Sequence, residues 1–441
     1  MSEKNFYFLG IGGIGTSSLA CYYKERGYGV AGHDRVASPL TKKLAEKGIL
    51  IQGNIAPEEL PQFVSPNSTT VVVSAAIKKD QPLYDYFVSQ GYRIEKRAQT
   101  LARIANEKKC IAVAGTHGKT STLSYLTHIF VTAKYSFSAF VGGLLHGYET
   151  NYISMGEEYI LVEADEYDRS FLELHPDHAA ITNIDPDHLD VYGSREAFHA
   201  AFGQFASQVK NPLVCGPKVA LEGKRIGNNT SAHYRFQNAR PEKAGYRVDI
   251  DLNGAICRHQ YVAALGQHNL RNAITAAALA HQIGLPIPAI TKGLETFMGI
   301  HRRMSLRSLR HDLLLIDDYA HHPTEIRAVF DCLKERYSGA HKTVIFQPHL
   351  YSRTRDFLEG FARELSLFDR IYILPIYPAR EAPIDGINSE ALLKAIPHTD
   401  KYLIPADKVP DCVESIPSGV VALLGAGDIG RISEQLKTTP V

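Results

Sequence analysis

Residues 110–122 read CIAVAGTHGKTST, an apolar run that turns through two glycines into Lys-Thr. A short apolar run bounded by turn residues predicts a buried strand, and the hydroxyl residues after Lys119 predict the start of a helix. Strand, glycine turn and helix N-terminus together make a cradle for phosphate, because loop amides and the positive end of the helix dipole face the anion. The common phosphate loop, G-x-x-x-x-G-K-[ST], spaces its glycines five positions apart. Five positions before Gly118 stands Val113, and the nearest glycine is Gly115, so this loop is two residues short. Its chemistry is nevertheless present. Lys119 supplies a point charge for β- and γ-phosphates, and Thr120 a hydroxyl suited to Mg²⁺.

Acidic strand ends downstream weigh against a bare turn. VEADEYD (162–168) carries Glu163, Asp165, Glu166 and Asp168, and NIDPDHLD (183–190) carries Asp185, Asp187, His188 and Asp190. Carboxylates at the C-terminal ends of parallel strands sit where open α/β sheets bind ligands, and Mg²⁺ with nucleotide phosphates needs such oxygen donors.

The strand–glycine pattern recurs as FYFLGIGGIG (6–15) and VVALLGAGDIG (420–430), and further apolar runs alternate with helix-like segments. That alternation predicts parallel α/β sheets buried on both faces. A chain of 441 residues is long enough for about three domains. NEKK (106–109) and HRRM (301–304) mark the boundaries, giving domains at 1–108, 109–302 and 303–441. The first and last are predicted to be Rossmann-like, and the central one a P-loop α/β domain. Residues 220–262, with polar alternation and turn residues, predict a small antiparallel excursion.

Composition narrows the function. With 44% hydrophobic and 22% charged residues and a net charge of +1, the chain reads as an ordinary globular protein with no basic field for nucleic acid or anionic lipid. Its six scattered cysteines include no C-x-x-C pair and fit reduced thiols. No apolar run reaches the ~20 residues of a membrane span, and the N-terminus enters a strand at once. A cytoplasmic protein with small-molecule partners is expected.

Gly10-x-Gly12-x-x-Gly15 follows a strand and opens a helix, with Asp34 about 20 residues on. Read alone, this fits a nicotinamide dinucleotide, another diphosphate-bearing nucleotide, or a tight turn with no ligand. The segments taken together decide more. AGTHGKT, EADEYDRSF, TNIDPDHLD, GQHNLRNA, HRR, DDYAHHPTE, FQPHLYSRTRD, YPAREAP and GAGDIG, preceded by GIGGIG, resemble the Mur ligases in kind and in order over essentially the whole chain. The shortened phosphate loop is that family's own version.

The resemblance implies an ATP-dependent ligase that joins L-alanine to the lactyl carboxylate of UDP-N-acetylmuramate in peptidoglycan precursor synthesis. A tripeptide acceptor, as in muropeptide recycling, is the alternative within the class, and a nicotinamide-dependent oxidoreductase the alternative outside it. By resemblance, Gly115, Thr116, His117, Gly118, Lys119, Thr120 and Ser121 hold the triphosphate. Thr120, Glu163 and His188 hold metal, Mg²⁺ or, given the histidine, Mn²⁺. Asn269 and Asn272 meet the adenine end, Arg302 reaches the phosphates, and Asp318 lies beside the nucleotide. Gly10, Gly12, Gly13, Gly15, Asp34, Ser74 and Arg97 line the UDP-sugar, with His117 facing the shared cleft. Tyr319, His321, His349 and Arg353 take the amino acid, with Arg353 on its carboxylate. Lys119, Glu163, His188 and Arg353 are the expected catalytic set. GAGDIG is expected to be a tight turn closing the last sheet. A monomer or homodimer is expected. Two departures are visible. Related ligases carry a carbamylated lysine about fifteen residues after the histidine, where this chain has Gly203. Some members also have an arginine where it has Leu350.

Overall fold

The structure, a computed structural model, describes residues 4–77, 81–187, 189–379 and 381–440. The chain groups into two compact units. One comprises Met1–Ala239, Val248–Tyr261 and Arg271–Phe297, and the other Arg240–Arg247, Val262–Leu270 and Met298–Val441.

The first sheet runs in the order Leu50–Gln52, Gly29–His33, Asn5–Leu9, Thr69–Val73, Arg93–Lys96, all parallel. Its three central strands are buried on both faces because both faces are covered. Phe6 and Phe8 join the cluster of Leu19 and Tyr23, whereas Tyr7 and Leu9 join that of Val71 and Phe87. Leu9 pairs with His33 on one side and Val73 on the other. The order of strand addition therefore reverses at Asn5–Leu9, which opens a crevice at its C-terminal end.

The second sheet has a parallel centre: Val214–Cys215, His178–Ile181, Lys109–Ala114, Tyr159–Glu163, Phe137–Leu145. Thr150–Ser154 closes one edge antiparallel. Here too the first strand, Lys109–Ala114, lies between strands that come later in the chain. The antiparallel reading of residues 220–262 holds for their second half. Lys224–Gly227 pairs parallel with Val214–Cys215, and the start of Tyr234–Glu242 pairs parallel with Lys224–Gly227. Tyr234–Glu242, Gly245–Leu252 and Ala255–Val262 are then neighbours in sequence order, joined by two-residue turns that only antiparallel strands allow, and they extend the sheet to ten.

Helix Ile14–Glu25 is common ground for these two sheets. Tyr22 packs against Phe140 and Tyr152. The Asn151 side-chain amide donates to Ile14 O and to Ser17 Oγ. Arg26 lies 3.5 Å over the Tyr22 ring and pairs with Glu157 at 2.8 Å.

The second unit holds a seven-stranded sheet ordered Lys401–Leu403, Arg370–Ile373, Lys342–Phe346, Gly419–Leu424, Leu313–Asp318, Ser305–Arg310, Thr439–Pro440. The first five strands are parallel. Gly419–Leu424, late in the chain, inserts between Lys342–Phe346 and Leu313–Asp318, so their three C-terminal ends lie side by side. Among the described residues no helix is long and apolar enough to cross a membrane.

Candidate active site

The phosphate loop leaves strand Lys109–Ala114 and enters helix Lys119–Ala133. Gly115 at φ +128° and Gly118 at φ +82° adopt backbone that L side chains rarely take. A Cβ on Gly118 would stand 2.5 Å from Asn272 Oδ1, so Asn272 lies directly on the loop. Asn269 instead donates its amide to Leu265 O at 3.0 Å.

Lys119 Nζ donates to Gly115 O at 2.7 Å and to Glu166 Oε2 at 2.5 Å. Burial works against its charge. Glu166, Asp165 and Glu163 more than offset that and hold its proton more tightly than an ordinary lysine. Glu166 is more deeply buried, at 2% exposure against 14% for Lys119. Burial pushes its carboxyl up to about 7 although Lys119 pulls the other way. Thr120 Oγ1 donates to Glu163 Oε2 at 3.1 Å, and Glu163 Oε1 accepts the Gly142 amide at 2.5 Å. A hydroxyl and a carboxylate held this close are both hard oxygen donors, the set that suits Mg²⁺. Ser121 is buried in the first helical turn. His188 lies outside the described residues.

The neighbouring strand end carries residues the sequence reading passed over. Thr182 and Asn183, directly after His178–Ile181, hydrogen-bond the loop at His117. His117 Nε2 is 3.8 Å from Asp185 Oδ2. Only the alternation of strand and turn could have hinted at this, because pairing between strand ends is not written in one segment.

At the first glycine loop the predicted residues converge. The Gly12 amide donates to Asp34 Oδ2 at 2.8 Å. Asp34 thus braces the loop itself. A Cβ on Gly10 would stand 3.1 Å from Ser74 Cβ, and one on Gly15 would stand 2.9 Å from Arg97 Cδ. Gly13 is the N-cap of helix Ile14–Glu25. Arg97 also lines a small cavity with Glu163, Asp165 and Ser170. The glycine loop and the acidic strand end therefore meet at one guanidinium.

In the second unit, Tyr319, His321, His349 and Arg353 gather beyond the ends of Leu313–Asp318 and Lys342–Phe346, the two strands that flank Gly419–Leu424. His321 Nδ1 is 2.9 Å from Tyr319 O, its ring is 6.2 Å from that of His349, and His349 stacks on Tyr377. Arg353, 8% exposed, has Nη1 3.4 Å from His349 Nδ1. His322 turns the other way, caps helix Pro323–Arg336 and packs edge-on to Phe357. Adjacent residues of an extended segment point apart. Leu350 stands at φ +70° immediately before the short helix that bears Arg353.

Asp318 accepts the amides of Met304 and Ala320 at 2.7 and 2.8 Å. Burial raises its carboxyl to about 6 against the pull of Arg303. Arg302 donates to Gly425 O at 2.5 Å and lies 3.6 Å from Asp317. Arg302 is thus engaged with the Gly425 turn, and the Asp318 carboxylate with two backbone amides of its own surroundings. Gly425, at φ +148°, and Gly427, whose Cβ would stand 2.4 Å from Gln347 Oε1, leave room only for glycine.

Comparison with known proteins agrees along the whole chain. The profile described as Mur ligase family, catalytic domain, matches residues 5–109. The Mur ligase middle domain matches 113–280, and the Mur ligase, glutamate ligase domain matches 302–429. The UDP-N-acetylmuramate–L-alanine ligase of Christiangramia forsetii is 40% identical over 438 residues, 98% of this chain and 97% of that protein. The crystal structure of UDP-N-acetylmuramate-alanine ligase MurC from Thermotoga maritima superposes with a TM-score of 0.82 at 27% identity, covering 98% of each chain. A murein peptide ligase from Psychrobacter arcticus superposes with a TM-score of 0.72 at 22% identity, covering 98% of each, and shares the fold.

Proposed function

The chain belongs to the Mur ligase family, and from that premise we propose that it joins L-alanine to the lactyl carboxylate of UDP-N-acetylmuramate, splitting ATP to ADP and phosphate. The three domains, at 1–108, 109–302 and 303–441, then supply the sugar nucleotide, ATP and amino-acid sites of a cytoplasmic enzyme of peptidoglycan precursor synthesis. The observation that carries this reading is that Arg97, which abuts Gly15 of the first glycine loop, lines one cavity with Glu163, whose carboxylate holds Thr120 at the second. Two phosphorylated substrates brought to one carboxylate cluster fit a ligase. A nicotinamide oxidoreductase leaves Lys119, Thr120 and Glu163 without a task. The relatives near 40% identity favour alanine over a tripeptide.

A carboxylate does not acylate an amine at neutral pH because oxide is a poor leaving group. The acid oxygen attacks the γ-phosphorus, ADP leaves, and the alanine nitrogen then attacks the acyl carbon of the acyl phosphate, releasing phosphate and a proton. Such chemistry is driven by position and charge neutralisation. Lys119 neutralises the transferred phosphoryl group, and Asn272 with the loop amides orients the nucleotide. Thr120 and Glu163, with His188 on the following segment, would hold Mg²⁺, which spreads the charge of the phosphates. Arg353 grips the alanine carboxylate beside His349, His321 and Tyr319.

The test is phosphate release with each substrate omitted in turn and the product weighed by mass spectrometry. Release is expected only with ATP, UDP-N-acetylmuramate and L-alanine together. Release indifferent to the sugar nucleotide or to alanine would refute the reading.

Arg97 gives a smaller prediction. Arg97→Gln should weaken UDP-N-acetylmuramate binding about tenfold, the low end for one charged hydrogen-bonding contact, because helix amides share the load. Calorimetry showing unchanged affinity would remove Arg97 from the site.

A further inference from the structure

A phosphate loop two residues short has fewer atoms of its own with which to hold its shape. In this chain the next strand end grips it. The His117 amide donates to Asn183 Oδ1 at 3.1 Å, and His117 O accepts from Asn183 Nδ2 at 2.9 Å and from Thr182 Oγ1 at 2.5 Å. Thr116 is tied to the same segment, its amide to Asn183 O at 3.3 Å and its hydroxyl to Asp185 O at 2.7 Å. An asparagine amide carries donor and acceptor side by side, so one side chain satisfies both polar groups of a single residue's backbone. The grip is close. A Cβ on Gly115 would stand 2.1 Å from Thr182 Oγ1, which makes Gly115 the space through which Thr182 reaches the loop.

We propose that Thr182 and Asn183 are positioning residues for the nucleotide, standing in for the two residues the loop lacks. The inference rests on the ATP reading of this loop. The clamp spends the His117 amide on Asn183 and aims the turn so that the amides from Gly118 onward and Lys119 face the phosphates. It also welds the Thr182–Asp185 segment to the loop, fixing two strand ends relative to each other at the reacting phosphate.

The test uses the full-length enzyme and four variants, with steady-state kinetics, calorimetry for the sugar nucleotide, and melting temperatures with and without ADP. Asn183→Ala is expected to raise KM for ATP about tenfold, the order for loss of neutral hydrogen bonds. KM for alanine and the affinity for UDP-N-acetylmuramate should stay within twofold. Asn183→Asp keeps the acceptor, loses the donor and sets a negative charge beside the phosphates, so it should be worse than alanine for ATP. Thr182→Val should raise KM for ATP severalfold, and Thr182→Ser, which keeps the hydroxyl, should restore it. Equal rises in every KM, or an Asn183→Ala enzyme with unchanged KM for ATP, would overturn the clamp. Should the Asn183 variants fail to fold, the Thr182 pair decides: equal KM for ATP in Val and Ser overturns it. A wild-type enzyme that neither binds ADP nor turns over ATP would instead count against the ATP reading itself.

Discussion

Lys119→Ala should lower phosphate release by about 10²–10³-fold or more, the loss seen when one preorganised donor to developing charge is removed. UDP-N-acetylmuramate binding should persist, because the first glycine loop, Asp34, Ser74 and Arg97 make no hydrogen bond to Lys119. The substitution strands Glu166 in the interior, where an unpaired carboxylate is costly. Its carboxyl, pushed up to about 7 by burial even with the lysine present, can answer by taking a proton, so the fold should survive at neutral pH. Glu166→Gln provides the control. It frees Lys119 from its 2.5 Å partner while keeping the shape, and should leave turnover far higher than Lys119→Ala does. The checks are phosphate release and calorimetric titration with the sugar nucleotide. Turnover retained in Lys119→Ala would remove the lysine from the reaction. Loss of sugar-nucleotide binding along with turnover would mean the change had damaged the fold.

How far the sequence carried this reading depends on the range of each signal. The three strand–glycine units were legible because each is local: apolar run, glycine and helix start follow within fifteen residues. Thr120 and Glu163 lie 43 residues apart, yet their pairing could be expected from the chemistry of Mg²⁺ and a known order of segments. Two features were not legible. Glu166 stood among four acids, and nothing in VEADEYD says which one turns inward to Lys119. Thr182 and Asn183 look like ordinary turn residues until the sheet order sets their strand next to Lys109–Ala114. In each case the missing information is which strand lies beside which.

Arg353→Ala should raise KM for alanine by about 10- to 150-fold, the range for losing one charged hydrogen-bonding contact worth roughly 1.5–3 kcal/mol. The guanidinium is 8% exposed, so its charge is poorly screened and an incoming carboxylate replaces little water. Its fork geometry matches a carboxylate in two parallel bonds, which an ammonium cannot reproduce. Arg353→Lys should therefore recover only part of the loss. The surrounding rings set the site's size: His349 stacks on Tyr377 at 5.7 Å, and His321 closes the other side. Arg353 reaches this ring cluster from its short helix, with Nη1 3.4 Å from His349 Nδ1, so the dependence on this one residue should be steep. KM for ATP and affinity for the sugar nucleotide should change little. Equal rises for all three substrates would show that Arg353 supports the fold of its strand end and does not hold the amino acid.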